Sequence, residues 1–215
     1  MPQATRANPV APTVAELGEE FELSLRAANK SPATVKTYGT AVRQFAAFLD
    51  ERGMPAEAVN IRREHVEAFL EHLLATRSAS TAKTRHGGLA VFFNWLVEDG
   101  ELPESPMAKV RAPAVPEQPV PVLTDDQVRA LLRVCEGRDF AARRDTAIVR
   151  LFLDSGMRRS ELANLALDDI DFDMGVATVL GKGRRYRSSP FGSKTALALK
   201  KYLRERSRHA HASSP

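Results

Sequence analysis

Six prolines fall between Glu101 and Leu123, at positions 103, 106, 113, 116, 119 and 121, with hardly any apolar periodicity between them. Proline lacks the amide donor and fixes φ, so neither a helix nor a central strand passes through this stretch. The chain is therefore divided, and each side has to build a core of its own. At 215 residues and 43% hydrophobic composition there is enough apolar material for two. Residues 102–123 are expected to form a semi-extended linker able to span a wide separation. They would join a domain over 13–101 to one over 124–215.

The first half reads as helices. Residues 1–12, polar and Pro-bearing, are expected to be a flexible arm. A first helix is predicted over Val14 to Ala28, with Leu17, Phe21, Leu23 and Leu25 as its apolar set. Ser31 followed by Pro32 starts the next, because serine caps the free amides and proline suits the first helical position. Val35, Tyr38, Val42, Phe45, Phe48 and Leu49 then recur at helical spacing. A third segment from Arg63 to Thr76 is built on Val66, Phe69, Leu70 and Leu73. A fourth, led by Ser78 to Thr81, buries Leu89, Val91, Phe92, Trp95 and Leu96. Four amphipathic helices make a compact bundle.

The polar openings of the second and fourth helices share a character. Thr34, Lys36, Thr37 and Arg43 lie on one, and Thr81, Lys83, Thr84, Arg85 and His86 on the other. Small hydroxyls interleaved with cations suit phosphate contacts along a DNA groove. A solvated helix face accounts for the same composition.

In the second half, Thr124-Asp125-Asp126 is an N-cap with an acidic first turn, ahead of Val128, Leu131, Leu132 and Val134. A helix from about Ala141 to Asp154 carries Ala147, Ile148, Leu151, Phe152 and Leu153, and breaks at Ser155-Gly156. A new helix opens with Arg158, Ser160 and Glu161 in its first turn. That sets a guanidinium beside backbone N–H groups and a positive dipole end, a site for an anion such as phosphate. Val176 to Leu180 and the basic run Arg184 to Arg187, split by Gly181-Lys182-Gly183, read as a β-hairpin with Lys182 at its tip. A last helix runs from Ser193 to about Arg206, and the tail from Ser207 to Pro215 is expected to fray. The chain is thus expected to be mainly α, with a small hairpin or sheet giving the second domain an α+β character.

Ser155-Gly156-Met157-Arg158-Arg159-Ser160-Glu161-Leu162 resembles the T-G-L-R-x-S-E-L motif that carries the first catalytic arginine of the tyrosine recombinases, the phage-integrase and Xer-like family. Gly181-Lys182-Gly183-Arg184-Arg185-Tyr186-Arg187 is similar to the G-K-G-x-x-x-R hairpin that carries that family's lysine. The resemblance implies a SAM-like, four-helix core-binding domain and the first part of a catalytic domain, clamped around double-stranded DNA, with other protomers as further partners. It implies phosphotyrosine transesterification, with Arg158 on the phosphate, Glu161 orienting Arg158 and Lys182 as general acid. Arg184, Arg185 and Arg187 are then expected at the DNA. The family completes its site with an H-x-x-R motif, a further His or Trp, and a tyrosine. His209-Ala-His211-Ala-Ser213 does not supply the first, and Tyr38, Tyr186 and Tyr202 do not stand in the nucleophile's place in the order. The expectation is a C-terminally truncated form that binds DNA without cutting it. The alternative is a purposeful non-catalytic binder that blocks recombination sites or pairs with full-length recombinase.

Other chemistries fail on spacing. A phosphate-binding G-x-x-x-x-G-K-[ST] loop would need Gly at Val176 and a hydroxyl at Gly183. Asp169, Asp171 and Asp173 open like a calcium loop, but Met174 and Leu180 stand where Gly and Glu are required. His65 and His72 are too far apart for an i, i+4 metal pair, so no metal, cofactor or small-molecule substrate is expected. The net charge of +4 and a pI near 9.4 favour a polyanionic partner mildly. One cysteine, Cys135, placed in an apolar helix, suits a reducing cytoplasm, and no run suggests a signal peptide or a membrane span.

Overall fold

The computed structural model describes residues 11–181 and 185–209. The chain separates into two compact units, Met1–Pro119 and Val120–Pro215. In the first lie α1 (Val14–Ala27), α2 (Pro32–Glu51), a 3-10 turn (Ala58–Asn60), α3 (Arg63–Thr76) and α4 (Ala79–Glu98). In the second lie α5 (Asp125–Val134), α6 (Phe140–Ser155), α7 (Arg159–Ala163), a 3-10 turn (Leu167–Asp169), β1 (Ile170–Asp171), β2 (Val176–Leu180), β3 (Tyr186–Pro190) and α8 (Ser193–Arg206). The mainly helical architecture with a small sheet is as expected.

Helices α1, α2 and α4 each start where a hydroxyl side chain satisfies a free amide. The Thr13 hydroxyl accepts from the Glu16 amide at 3.2 Å, while the Glu16 carboxylate accepts from the Thr13 amide at 2.9 Å. Ser31 and Ser78 accept from Thr34 and Thr81 at 3.1 and 3.2 Å. Beneath these caps Phe21, Phe45, Phe69, Phe92 and Phe93 are fully buried and meet largely edge-on, as Phe21 with Phe92 at 5.4 Å between centroids. Truncating one such ring costs about 3–5 kcal/mol. Helices α2 and α4 cross at Gly88, where an added Cβ would lie 2.7 Å from that of Ala41. Two expectations fail at the surface: Leu23 is 62% exposed and Val91 sits at the edge, while Phe93, two residues after Val91, takes the buried position.

The stretch after α4 is not free of the first unit. Leu102, Met107 and Val110 are buried in the same core, and the first unit continues to Pro119. The prolines do exclude helix and strand here, but three apolar side chains still dock the irregular backbone. Similarly Pro12, counted in the arm, accepts a hydrogen bond from the Ala58 amide at 3.1 Å. Residues 1–10 and 210–215 lie outside the described residues.

In the second unit, α6 and α8 pack together over Ala147, Leu151, Ala198 and Leu199, and the sheet adds Ala177 and Val179. The sheet is antiparallel in the order β1-β2-β3; β1, two residues long, has no counterpart among the expected elements. The second strand of the hairpin is Tyr186–Pro190, running past the expected end at Arg187, with Leu180 paired with Tyr186 and Val176 with Pro190. Helix α5 forms behind its Thr124 cap but buries no residue: Leu131 is partly exposed and Val134 fully so. Cys135 lies just past its end as the C-cap, not within an apolar helix.

Candidate functional site

The Arg158 turn is set by three neighbouring residues. Gly156 ends α6 in the left-handed region (φ 58°), which glycine adopts without a Cβ penalty, and its amide closes on the Phe152 carbonyl at 3.0 Å. Met157 comes next and is buried, 4% exposed, in the core of the second unit. The residue after it must then point outward, and the Arg158 side chain is 68% exposed. Asp154, at the other end of the turn, accepts from the Gly192 amide and the Thr195 hydroxyl, both at 2.7 Å. It caps α8, whose N-cap Gly192 has no side chain for the purpose.

Glu161 organises the entry into α7. Its side chain is only 4% exposed and collects three donors. Oε2 accepts from the Arg158 backbone amide at 2.7 Å and from Nη2 of Arg187 at 2.8 Å; Oε1 accepts from Nη1 of Arg158 at 2.9 Å. The Arg158 amide, with the Arg187 and Arg158 guanidinia, holds the carboxyl down at about 2 against desolvation, which pushes the other way. The second terminal nitrogen of Arg187 donates to the buried Ser189 hydroxyl at 2.8 Å. Arg158 itself is the N-cap of α7, not a first-turn residue, and α7 is five residues long. The amide expected to face an anion is thus already given to Glu161.

The hairpin reaches the same carboxylate. Gly181 closes the loop by donating to the Arg185 carbonyl at 2.8 Å, and a Cβ built on Gly181 would lie 3.9 Å from Oε1 of Glu161. Lys182 is the next residue in the chain; Lys182 and Arg184 lie outside the described residues. Arg185 is exposed, while Arg187, grouped in the sequence with DNA contacts, spends both terminal nitrogens inside the protein. What sequence reasoning missed is the Arg187–Glu161 pair, which joins residues 26 apart and leaves no local signal.

In the first unit the expected contact residues are dispersed. Lys36 and Lys83 are exposed on α2 and α4. The hydroxyls of Thr34 and Thr81 share their hydrogens with the capping serines, while Thr37 and Thr84 donate to carbonyls four residues back. Arg85 donates to the Gln44 side chain at 2.6 Å, tying α4 to α2. Arg43 instead turns to Glu22 of α1, and the His86 ring meets the Val110 carbonyl at 3.0 Å, fastening the packed stretch after α4. Tyr38 packs on the first core, Tyr202 lies against Phe140, and Tyr186 is exposed at the start of β3. Among the described residues no His, Cys, Asp and Glu cluster is placed to hold a metal ion, and no helix is long and apolar enough to cross a membrane.

The arrangement offers an outward guanidinium held by a buried carboxylate, a guanidinium fork being suited to the non-bridging oxygens of a phosphate. Comparison with known proteins gives the family. The sequence profile of the phage integrase family matches residues 121–214, and that of the phage integrase N-terminal SAM-like domain matches residues 17–101. The chain belongs to the phage integrase family, the tyrosine recombinases. It is 34% identical over 179 residues to tyrosine recombinase XerC of Oceanobacillus iheyensis, covering 82% of this chain and 58% of that protein. It is 32% identical over 171 residues to tyrosine recombinase XerD of Halalkalibacterium halodurans, covering 79% and 57%. The chain therefore spans somewhat over half the length of these relatives. Its fold matches that of lambda integrase in a tetramer bound to a Holliday junction, with a TM-score of 0.69 at 18% identity, over 96% of this chain and 62% of that one.

Proposed function

We propose that this chain binds double-stranded DNA and that its second unit carries the phosphate-gripping half of a strand-transfer site for site-specific recombination. Arg158 meets a non-bridging oxygen of the backbone phosphate, Glu161 orients it, and Lys182 is the general acid. The observation that carries this is the shared carboxylate: Glu161 holds the exposed Arg158 and borders Gly181, the residue next to Lys182. At a site completed by a tyrosine, the phenol releases its proton to solvent as its oxygen forms the new bond to phosphorus and the bond to the 5′-oxygen breaks. Lys182 gives that oxygen its proton, leaving a phosphotyrosyl link and a free 5′-hydroxyl. Residues 13–101, with the docked stretch through Val110, act as the core-binding domain, with Lys36, Lys83 and Arg85 on backbone phosphates, the rest of 102–123 connects, and 124–215 supply the first part of the catalytic domain. Other protomers join on DNA, in the reducing cytoplasm that a lone Cys135 suits.

Fluorescence anisotropy with a 30-bp duplex tests the binding. Each lost phosphate contact lowers the slope of log K against log salt by roughly 0.9, so Lys83→Ala with Arg85→Ala should flatten it by about 2. An unchanged slope would return both residues to a solvated face. On a nicked suicide substrate Tyr38, Tyr186 and Tyr202 are expected to form no covalent adduct, and a denaturation-resistant adduct would overturn that assignment.

A further inference from the structure

We propose that Arg187 is a positioning residue, which occupies one oxygen of Glu161 so that Arg158 pairs with the other alone and keeps the rest of its fork for a phosphate. This deepens the reading of the Arg158 turn as a phosphate site and rests on it.

The geometry divides the carboxylate between two arginines. Oε2 is taken by Nη2 of Arg187 and the Arg158 amide, and Oε1 by a single nitrogen of Arg158. A guanidinium has five N–H donors and prefers to meet a carboxylate through two parallel hydrogen bonds. Without Arg187, Oε2 would keep only the Arg158 amide, and the Arg158 guanidinium would close onto both oxygens of Glu161 and bury the donors an incoming anion needs. Arg187 is suited to prevent this, because its other terminal nitrogen is anchored at 2.8 Å on Ser189, which is 0% exposed. Its side chain is 40% exposed, against 68% for Arg158, so the two arginines are not equivalent ligands. Arg187 also pairs across the sheet with Val179, two residues before Gly181, and so ties the hairpin to the Arg158 turn through one carboxylate.

The test uses the full chain with Arg158→Gln, Arg187→Gln and the double variant, measured against the 30-bp duplex. Arg158→Gln and Arg187→Gln should each weaken binding about tenfold, and the double variant should be no weaker than Arg158→Gln. Losses that multiply to about a hundredfold would mean Arg187 touches a phosphate of its own, and an Arg187→Gln protein that binds like the parent would mean it positions nothing; either overturns the proposal. The 15N signals of the Arg158 guanidinium give a readout without DNA. In Arg187→Gln its 15N guanidinium resonances should shift as a second nitrogen engages Glu161, and unchanged signals refute the role. If Arg158→Gln leaves DNA binding intact, the phosphate-site reading fails, and the guanidinium signals still decide whether Arg187 sets the geometry. Should Arg187→Gln not fold, Arg187→Lys serves, since one ammonium cannot replace the fork on Glu161 and Ser189 together.

Discussion

Asp154→Ala should loosen α8 and with it the far side of the Arg158 turn. The carboxylate oxygen Oδ2 holds both the Gly192 amide and the Thr195 hydroxyl at 2.7 Å. Thr195 is 0% exposed, so no water replaces the lost acceptor, and an orphaned buried hydroxyl costs about 1–3 kcal/mol. Removing a negative charge from a helix N-terminus adds about 0.3–1 kcal/mol. Together these give a loss of roughly 1–4 kcal/mol in the second unit. Urea-dependent amide exchange in α8 reads it directly. Trp95, the single tryptophan, packs on the core of the first unit, so its fluorescence transition should stay with the parent's. Adding Thr195→Val removes the stranded hydroxyl and should return about 1 kcal/mol of the loss. Protection in α8 within about 0.5 kcal/mol of the parent would refute the capping argument, since surface changes without a structural role fall in that range.

Two more outcomes concern the same turn. The folded Glu161 carboxyl titrates at about 2, below its ordinary 4.5, so the folded state binds fewer protons than the unfolded between those values. Its contribution is complete above about pH 4.5 and lost as pH falls toward 2; the stability gap between the parent and Glu161→Gln, traced by acid titration, should shrink over that window. Gly156→Ala meets no atom within 4 Å but forces a Cβ into the left-handed region at φ 58°, costing about 1 kcal/mol, and Gly156→Asn should cost less, as thermal unfolding would show.

The helices were legible because their signals are local. Ser31-Pro32, Ser78 and Thr124 start helices in the sequence and in the structure alike, and Arg63–Thr76 and Ser193–Arg206 have the predicted bounds. Periodicity located the faces less sharply: at the edge of an apolar stripe it could not choose between Val91 and Phe93, which packing against Phe45 at 6.1 Å decides. Proline told where regular structure stops, not whether the backbone docks, so the burial of Leu102, Met107 and Val110 went unread. At the site, motif spacing brought out Arg158 and Glu161. The engagements of Arg43 with Glu22, Arg85 with Gln44 and Arg187 with Glu161 were not legible, because each joins residues 21 or more apart.

The burial of Glu161 between the outward Arg158 and the anchored Arg187 also shapes how far away the site is felt. Arg158, Glu161 and Arg187 together carry one net positive charge, and beyond a screening length of about 8 Å at physiological salt they are faint against the rest of the surface. Close in, the field is different. The negative member is 4% exposed, so a docked anion meets the cationic lobe of Arg158 with its counter-charge hidden behind it. Such a cluster is a poor beacon and a good short-range sensor. Long-range capture of a polyanion would fall to the distributed surface lysines and arginines, and the Arg158 turn would respond to a phosphate that has already been brought into register.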